Sequence, residues 1–201
     1  MNAEVVLVPG LWMPAAVMAL LGARLAHAGY RTTTFSYRGR EPLDQNLERL
    51  AGHVNGRAVH FVGHSLGGVL IYDLLSRYPD IACGHVVLLG APVRGCFSGR
   101  RLGSAAIGRW MLGGCGARWA ERDAAWRRRE PLGVVAGTRV LGLGRALGAL
   151  PGENDGVVRV DETAIDGMSE RVLVREAHST LPVSRPVARL VQRFLHDGRF
   201  Q

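Results

Sequence analysis

A serine lies at the centre of the glycine-flanked pentapeptide Gly-His-Ser-Leu-Gly, residues 63–67. The apolar residues 57–62 before it have strand character, and residues 66–78 after it suit a helix. In a strand–turn–helix context this spacing exposes the serine oxygen above a sheet, and the first amides of the helix point at whatever binds there. Ser65 is therefore a candidate nucleophile. Because the chain has 27 glycines in 201 residues, chance alone yields such a pattern at an appreciable rate, so Ser65 must also have suitable partners.

A serine hydroxyl needs a nearby base to take its proton, and imidazole suits this because its pKa lies near neutrality. His178 directly follows the strand candidate 171–177, on a loop at the sheet edge where Ser65 is expected. His64 adjoins Ser65, so we expect its side chain to point away from the nucleophile. We predict that His178 is the base, and an ordinary loop histidine is the alternative. The other histidines lie within predicted elements or at the opposite edge: His27, His53, His60, His85 and His196.

The base in turn needs a carboxylate to hold its tautomer and to stabilise the imidazolium. The acid is expected after the fifth strand and before His178, where the sequence reads Gly-Glu-Asn-Asp-Gly-Val-Val. Asp155, in the Asn-Asp-Gly turn, is the candidate, with Glu153 and Asp161 as competitors and a plain turn aspartate as the alternative. The chain order Ser65, Asp155, His178 is that of the α/β-hydrolases rather than of chymotrypsin or subtilisin.

An oxyanion hole is also required, since the tetrahedral intermediate places negative charge on the former carbonyl oxygen. The amide of Leu66, directly after the nucleophile, is one predicted donor. The loop after the first strand offers the amide of Leu11 as the second, because Pro9 has no N–H to donate. Trp12 and Met13, with residues 95–129, are predicted to line an apolar acyl pocket.

Short apolar strands and helices must position these groups, and they alternate along the chain. Strands are predicted at residues 4–9, 30–37, 58–63, 85–89, 133–138 and 171–177, and helices at 14–28, 43–54, 66–78 and 186–197. This alternation predicts an α/β fold with a mostly parallel sheet of about six strands and helices on both faces. Ligands bind beyond the carboxyl ends of such strands, where Ser65, Leu11 and His178 should meet.

Two segments depart from simple alternation. Residues 95–130 are rich in Trp and Arg, and either a small lid or an ordinary covering helical segment fits them. Residues 142–152 are glycine-rich but lack the spacing of a dinucleotide site, so a flexible loop is the better interpretation.

The length and the hydrophobic content of 47% predict one domain over residues 1–201. The net charge of +8 comes entirely from arginine, without any lysine, and no nucleic-acid-binding module accompanies it, so no nucleic-acid partner is predicted. The arginines at 127–129, with Arg118 and Arg122 nearby, favour a solvated helix face. They also leave open an anionic substrate or peripheral contact with a lipid surface.

Three cysteines, Cys83, Cys96 and Cys115, show no paired spacing, which argues against a disulfide framework and against a zinc site. They are typical of reduced thiols in a cytoplasmic protein, and Cys83 is expected to be buried. Residues 11–23 imitate a signal peptide, but Glu4 and Pro14 argue against export, so we interpret the run as a buried helix.

With these motifs in place, the chain resembles the α/β-hydrolase superfamily, and within it the compact bacterial lipases and esterases. The resemblance covers nearly the whole chain, and it is carried by the motifs at 63–67, 154–158 and 178–182. It implies Ser65 as nucleophile, His178 as base and Asp155 as acid, with the Leu11 and Leu66 amides as oxyanion donors. The chain also starts at what would be the family's third strand, which implies a minimal sheet.

One departure from the family concerns the oxyanion loop. Many members have His-Gly where this chain has Pro9-Gly10, and that histidine helps to fix the loop. The rigidity of the loop, and with it the ester preference, is therefore open.

The expected function is that of a serine hydrolase that cleaves carboxylic esters with apolar acyl groups, without metal or cofactor. A thioesterase or acyltransferase would use the same residues. The alternative of another class is a ligand-binding protein that keeps the hydrolase fold without turnover. The sequence leaves the acyl chain length and the oligomeric state open.

Overall fold

The computed structural model describes residues 3–114, 119–141 and 150–201. Within them lies a six-stranded sheet in the order β2-β1-β3-β4-β5-β6, and all five neighbouring pairs of strands are parallel. The predicted mostly parallel sheet is thus confirmed. The strands are β1 (Glu4–Val8), β2 (Arg31–Thr34), β3 (Val59–His64), β4 (Cys83–Leu89), β5 (Leu132–Gly137) and β6 (Glu170–Val174).

Six α-helices are found in the described residues. They are α1 (Ala15–His27), α2 (Leu43–Val54), α3 (Leu66–Arg77), α4 (Phe97–Ser104), α5 (Ala106–Leu112) and α6 (Arg185–Asp197). The four predicted helices correspond to α1, α2, α3 and α6 and differ from them by at most one residue at either end. The predicted second and sixth strands, by contrast, are each too long by three residues at the carboxyl end, since β2 ends at Thr34 and β6 at Val174.

Strand β1 shows how the sheet separates two cores. Alternate side chains of a strand point to opposite faces, so Val5 and Leu7 pack with α1 and α6, while Val6 and Val8 pack with α2 and α3. All four are buried, because helices cover both faces of the central strands. The carboxyl ends of β1, β3 and β5 are thereby held at one edge.

The apolar run at residues 11–23 is less buried than expected, because residues 11–14 precede α1 and helical side chains such as Leu20 are exposed. Met18, Leu21 and Leu25 are fully buried against the sheet. No helix in the described parts of the chain combines the length and the apolar character needed to cross a membrane.

The cysteines differ from expectation in one respect. Cys83 is only half-buried, whereas Cys96 is buried. Desolvation raises the pKa of Cys83 to about 11 and that of Cys96 to about 12. Both thiols are therefore protonated near neutral pH. Cys115 and most of the glycine-rich segment, residues 142–149, lie outside the described residues.

Candidate active site

Ser65 forms the sharp turn between β3 and α3. Its backbone has φ +53° and ψ −124°, a conformation that residues other than glycine rarely adopt. The two flanking glycines permit the turn: a Cβ at Gly63 would lie 2.6 Å from the Cα of Gly68, and one at Gly67 would lie 2.2 Å from the carbonyl oxygen of Val8. Helix α3 approaches β3 at Gly63 and β1 at Gly67 too closely for any other residue at these positions, and the turn presents Ser65 at the carboxyl edge of the sheet.

The imidazole of His178 lies between Ser65 and Asp155. The Oγ–H of Ser65 can donate to Nε2 of His178 at 2.9 Å, while Nδ1–H of His178 donates to Oδ2 of Asp155 at 2.7 Å. The other carboxylate oxygen of Asp155 accepts the amides of Val157, at 3.0 Å, and Val158, at 2.7 Å. The structure thus brings together the three side chains singled out in the sequence, with the buried carboxylate held from both sides.

Hydrogen bonds to main-chain groups fix the loop that carries Asp155. The side-chain oxygen of Asn154 accepts the amide of Gly156 at 3.0 Å, and its NH2 group donates to the carbonyl of Gly152 at 2.8 Å. The amide of His178 donates to the carbonyl oxygen of Asp155 at 3.0 Å. The two loops are therefore joined through their main chains as well as through their side chains.

The competing acids lie elsewhere. Glu153 is exposed, and Asp161 is an exposed partner of Arg159 at 3.4 Å. Of the three carboxylates considered from the sequence, the structure places only Asp155 against His178.

The loop after β1 passes directly against the nucleophile. A Cβ at Gly10 would lie 2.8 Å from Nδ1 of His64 and 3.1 Å from Cβ of Ser65, so only glycine fits there. Leu11 follows it and lines the same cavity as Ser65. Leu66 is the first residue of α3, where an amide has no carbonyl one turn earlier to bond. Both predicted donors therefore belong to segments that border Ser65.

A cavity of about 180 Å³ opens onto Ser65 and His178, and its remaining lining is mainly apolar. The apolar side chains come from the loop after β1, the α4–α5 segment and the loop of the acid: Leu11, Trp12, Leu102, Leu112, Trp119, Val157 and Val158. A larger depression of about 600 Å³ is found beside Arg57 and Tyr78, away from these groups.

Of the two residues predicted to line the acyl pocket, only Trp12 lines the cavity of Ser65. Met13 lies in a neighbouring depression of about 250 Å³ with Tyr37 and Arg40. Trp12 has φ +58°, so the chain turns sharply between the two residues. The sequence carries no signal for a left-handed tryptophan, so it could not separate their positions.

Helix α4 is tied to the loop that carries the acid. The hydroxyl of Ser98 donates to the carbonyl of Val157 at 2.7 Å, and the amide of Phe97 donates to the buried carboxylate of Glu162 at 2.6 Å. The part of residues 95–130 nearest to Ser65 is therefore hydrogen-bonded to the same loop that holds Asp155.

His64 supports His178, a contact that the sequence reasoning missed. Its Nε2–H donates to the carbonyl oxygen of His178 at 2.9 Å, and the two rings lie 4.7 Å apart. Complete burial, together with a smaller contribution from the neighbouring His178, lowers the pKa of His64 to about 3. A neutral His64 thus anchors the main chain of His178. The sequence feature that could have indicated this contact is the position of His64 at the end of a buried strand, next to Ser65.

Replacing His64 with glutamine is expected to flatten the acid side of the stability profile. Between about pH 6.5 and 3 the unfolded chain protonates this histidine and the folded chain does not. The free energy of unfolding therefore falls as the pH drops through that window. Above the window this histidine causes no loss of stability. Glutamine cannot titrate, although its NH2 group can donate to the same carbonyl.

Urea denaturation of both proteins at several pH values from 7 to 4 measures the two slopes. The free energy of unfolding should change more steeply with pH in the wild type than in H64Q. The difference in slope corresponds to at most one bound proton, the most that one group contributes. H27Q, which removes an exposed imidazole, is the control. Equal slopes for the wild type and H64Q would contradict the assignment.

In residues 3–114, 119–141 and 150–201, no group of three or more His, Cys, Asp or Glu side chains is arranged to hold a metal ion.

Comparison with known families identifies the fold. A model of the alpha/beta hydrolase family matches residues 5–198. The chain belongs to the alpha/beta hydrolase family. No match was found among curated proteins. The expected membership and fold are thus confirmed, including the parallel sheet.

Solved alpha/beta hydrolases and related enzymes share the fold. Phospholipase PlaB from Legionella pneumophila has a TM-score of 0.75 at 12% identity, over 99% of this chain and 59% of that one. A bromoperoxidase from Bacillus anthracis has a TM-score of 0.70 at 15% identity, over 98% and 93% of the two chains. A monoacylglycerol lipase from Paleococcus ferrophilus has a TM-score of 0.66 at 14% identity, over 98% and 97%. The chain spans about three fifths of the phospholipase, and identities this low establish the fold alone.

Pro9 replaces the histidine common at this position in the family, and packing fixes the loop here. A Cβ on Gly67 would lie 2.4 Å from the carbonyl oxygen of Pro9, so the main chain at Pro9 lies against the start of α3. The proline ring also restricts φ. In this chain, contact with α3 on one side and with His64 and Ser65 on the other restrains the loop after β1.

Proposed function

We propose that this protein is a serine hydrolase that cleaves carboxylic esters with apolar acyl groups through an acyl-enzyme on Ser65. The observation that carries the proposal is the hydrogen-bonded series Ser65–His178–Asp155 at the floor of an apolar cavity. Membership of the alpha/beta hydrolase family supports it.

In the acylation step, Oγ of Ser65 attacks the ester carbonyl carbon while Nε2 of His178 takes the hydroxyl proton. Asp155 accepts Nδ1–H of His178 and so stabilises the imidazolium, while its second oxygen accepts two amides. The amides of Leu11 and Leu66 donate to the oxyanion of the tetrahedral intermediate. Its collapse breaks the bond to the leaving alkoxide, which receives the proton from His178.

Deacylation repeats the sequence with water. His178 takes a proton from the water, the resulting hydroxide attacks the acyl carbon, and the second intermediate releases the carboxylic acid. The proton returns to Oγ of Ser65, so the enzyme is regenerated and the net reaction is the hydrolysis of one ester bond. Water is the only co-reactant in the proposed steps.

The cavity indicates the acyl preference. Its lining is largely apolar, so a charged acyl group would lose hydration without gaining a partner. Its volume of about 180 Å³ lies below the range of about 300–1,000 Å³ typical of small-molecule sites. We therefore propose short apolar acyl groups as the preferred substrates.

A series of nitrophenyl esters tests this proposal. We expect kcat/KM to be highest for short saturated acyl chains, lower for long ones, and lowest for an acyl chain of similar length that ends in a carboxylate. A thioester with the preferred acyl group measures whether the leaving group matters. Leu102→Trp, which fills part of the cavity, should reduce turnover of the longer chains more than that of acetate.

Two results would contradict the proposal. One is the absence of Ser65-dependent turnover on any ester or thioester. The other is a lack of reaction between Ser65 and a fluorophosphonate probe, which would favour a ligand-binding protein that keeps the fold.

A further inference from the structure

Helix α5 turns an apolar stripe outward. Ile107, Trp110 and Met111 are 67%, 60% and 37% exposed, and their spacing of three and four residues places them on one side of the helix. The opposite side is buried at Gly108 and Leu112. Helix α5 is therefore apolar on its exposed side as well as on its buried side, and its larger side chains are the exposed ones.

Trp12 extends this stripe to the entrance of the cavity. It is 55% exposed and lines both the cavity of Ser65 and the neighbouring depression that contains Arg40. The Arg40 guanidinium lies 4.2 Å from the centroid of the Trp110 ring, and Arg40 lines the same depression as Trp12. Arg40 therefore lies beside both tryptophans. We call Trp12, Ile107, Trp110 and Met111 the entrance patch.

The patch is concentrated rather than scattered. Of the eight exposed large hydrophobic side chains in the described residues, four belong to it, and the others lie on α1, on β6 and near residue 140. Single exposed hydrophobic side chains are common on protein surfaces, whereas a contiguous group beside a cavity marks an interaction site.

Exposed positive charge lies beside the patch. Residues 81–120 contain five arginines and not one Asp or Glu. Arg101 and Arg109 are exposed on α4 and α5, and Arg40 is exposed beside Trp110. The nearest acid in sequence on the Arg40 side, Glu41, already forms salt bridges to two other arginines. The partner should therefore be apolar and anionic together.

We propose that the entrance patch docks on an anionic lipid surface. Tryptophan rings prefer the headgroup level of a bilayer, and aliphatic side chains beside them reach the upper acyl region. Arginines at the rim pair with lipid phosphates and benefit from the negative surface potential. Docking in this orientation turns the entrance of the Ser65 cavity towards the lipid. A second copy of this chain fits the patch less well, because a two-fold contact would oppose the same arginines.

The test uses the S65A protein, so that binding is measured without hydrolysis and its outcome is independent of the proposed function. Flotation with vesicles of phosphatidylcholine, with and without 30% phosphatidylglycerol, gives the partition coefficient at about 50 and 500 mM NaCl. We expect binding to the anionic vesicles and weakening by salt. I107S/W110A should lower the coefficient by about tenfold or more, and R101Q/R109Q should lower it by a similar factor at low salt only.

L20S and L173S remove exposed side chains of the same kind from α1 and β6, and they should leave binding unchanged. Thermal unfolding establishes that each variant is folded. The proposal is overturned if the parent protein ignores anionic vesicles, or if I107S/W110A binds like L20S. It is also overturned if I107S/W110A converts an oligomer to a monomer by light scattering, since the patch would then contact a protein.

Discussion

Replacing Ser65 with alanine is expected to lower kcat for the preferred nitrophenyl ester by about 10⁴- to 10⁶-fold. The substitution removes the only atom that the proposed mechanism bonds to the acyl group, and it leaves His178 and Asp155 in place. Alanine keeps the same backbone strain as serine at φ +53°. The thermal midpoint should therefore change little while turnover disappears.

Steady-state kinetics and mass spectrometry after fluorophosphonate treatment measure this effect. The wild type should gain one phosphonyl group and S65A none. S76A, at an exposed serine on the same helix α3, should keep wild-type turnover and labelling. Turnover by S65A within tenfold of the wild type would place the nucleophile elsewhere.

Replacing Asp155 with asparagine is expected to lower kcat by about 10⁴-fold, because it reverses the tautomer of His178. Oδ1 of residue 155 accepts the amides of Val157 and Val158, so the amide oxygen of asparagine takes that position. Its NH2 group then faces Nδ1 of His178, which must accept. The ring proton moves to Nε2, and Nε2 can no longer take the proton of Ser65.

Kinetics for D155N, with E153Q and D161N as controls, measure this prediction. Both control acids are exposed and lie in the same segment, so their loss should leave kcat within a few fold of the wild type. A D155N enzyme with wild-type kcat, or a D161N enzyme as damaged as D155N, would contradict the assignment of the acid.

The sequence was sufficient for much of the fold, because local patterns specify it. Strands β1, β3, β4 and β5 read as short apolar runs since helices cover both of their faces, and helix α6 shows its buried stripe at helical spacing. Ser65 could be placed at the sheet edge because the strand, the glycines and the helix that form its turn are consecutive in the chain. Strand β2 was less certain, since its four residues are only partly buried and give no clear end.

The supporting contacts depended on residues that are distant in the chain. His64 meets the carbonyl of His178 across 114 positions, and no local pattern announces that hydrogen bond. Met13 was assigned to the acyl pocket by proximity to Trp12, whereas the left-handed turn at Trp12 places it in another depression. Cys83 was expected to be buried in its strand, but Cys96 is the more buried thiol.

By itself the sequence determined that Ser65, Asp155 and His178 follow strands in the order typical of an alpha/beta hydrolase. This was possible because the parallel sheet brings all such positions to one edge. Only the tertiary structure decided the distances of 2.9 and 2.7 Å that join these side chains, the small apolar cavity above them and the exposed face of α5. Distances and exposure result from the packing of separate segments, and a residue pattern records the type of a side chain but not its neighbours.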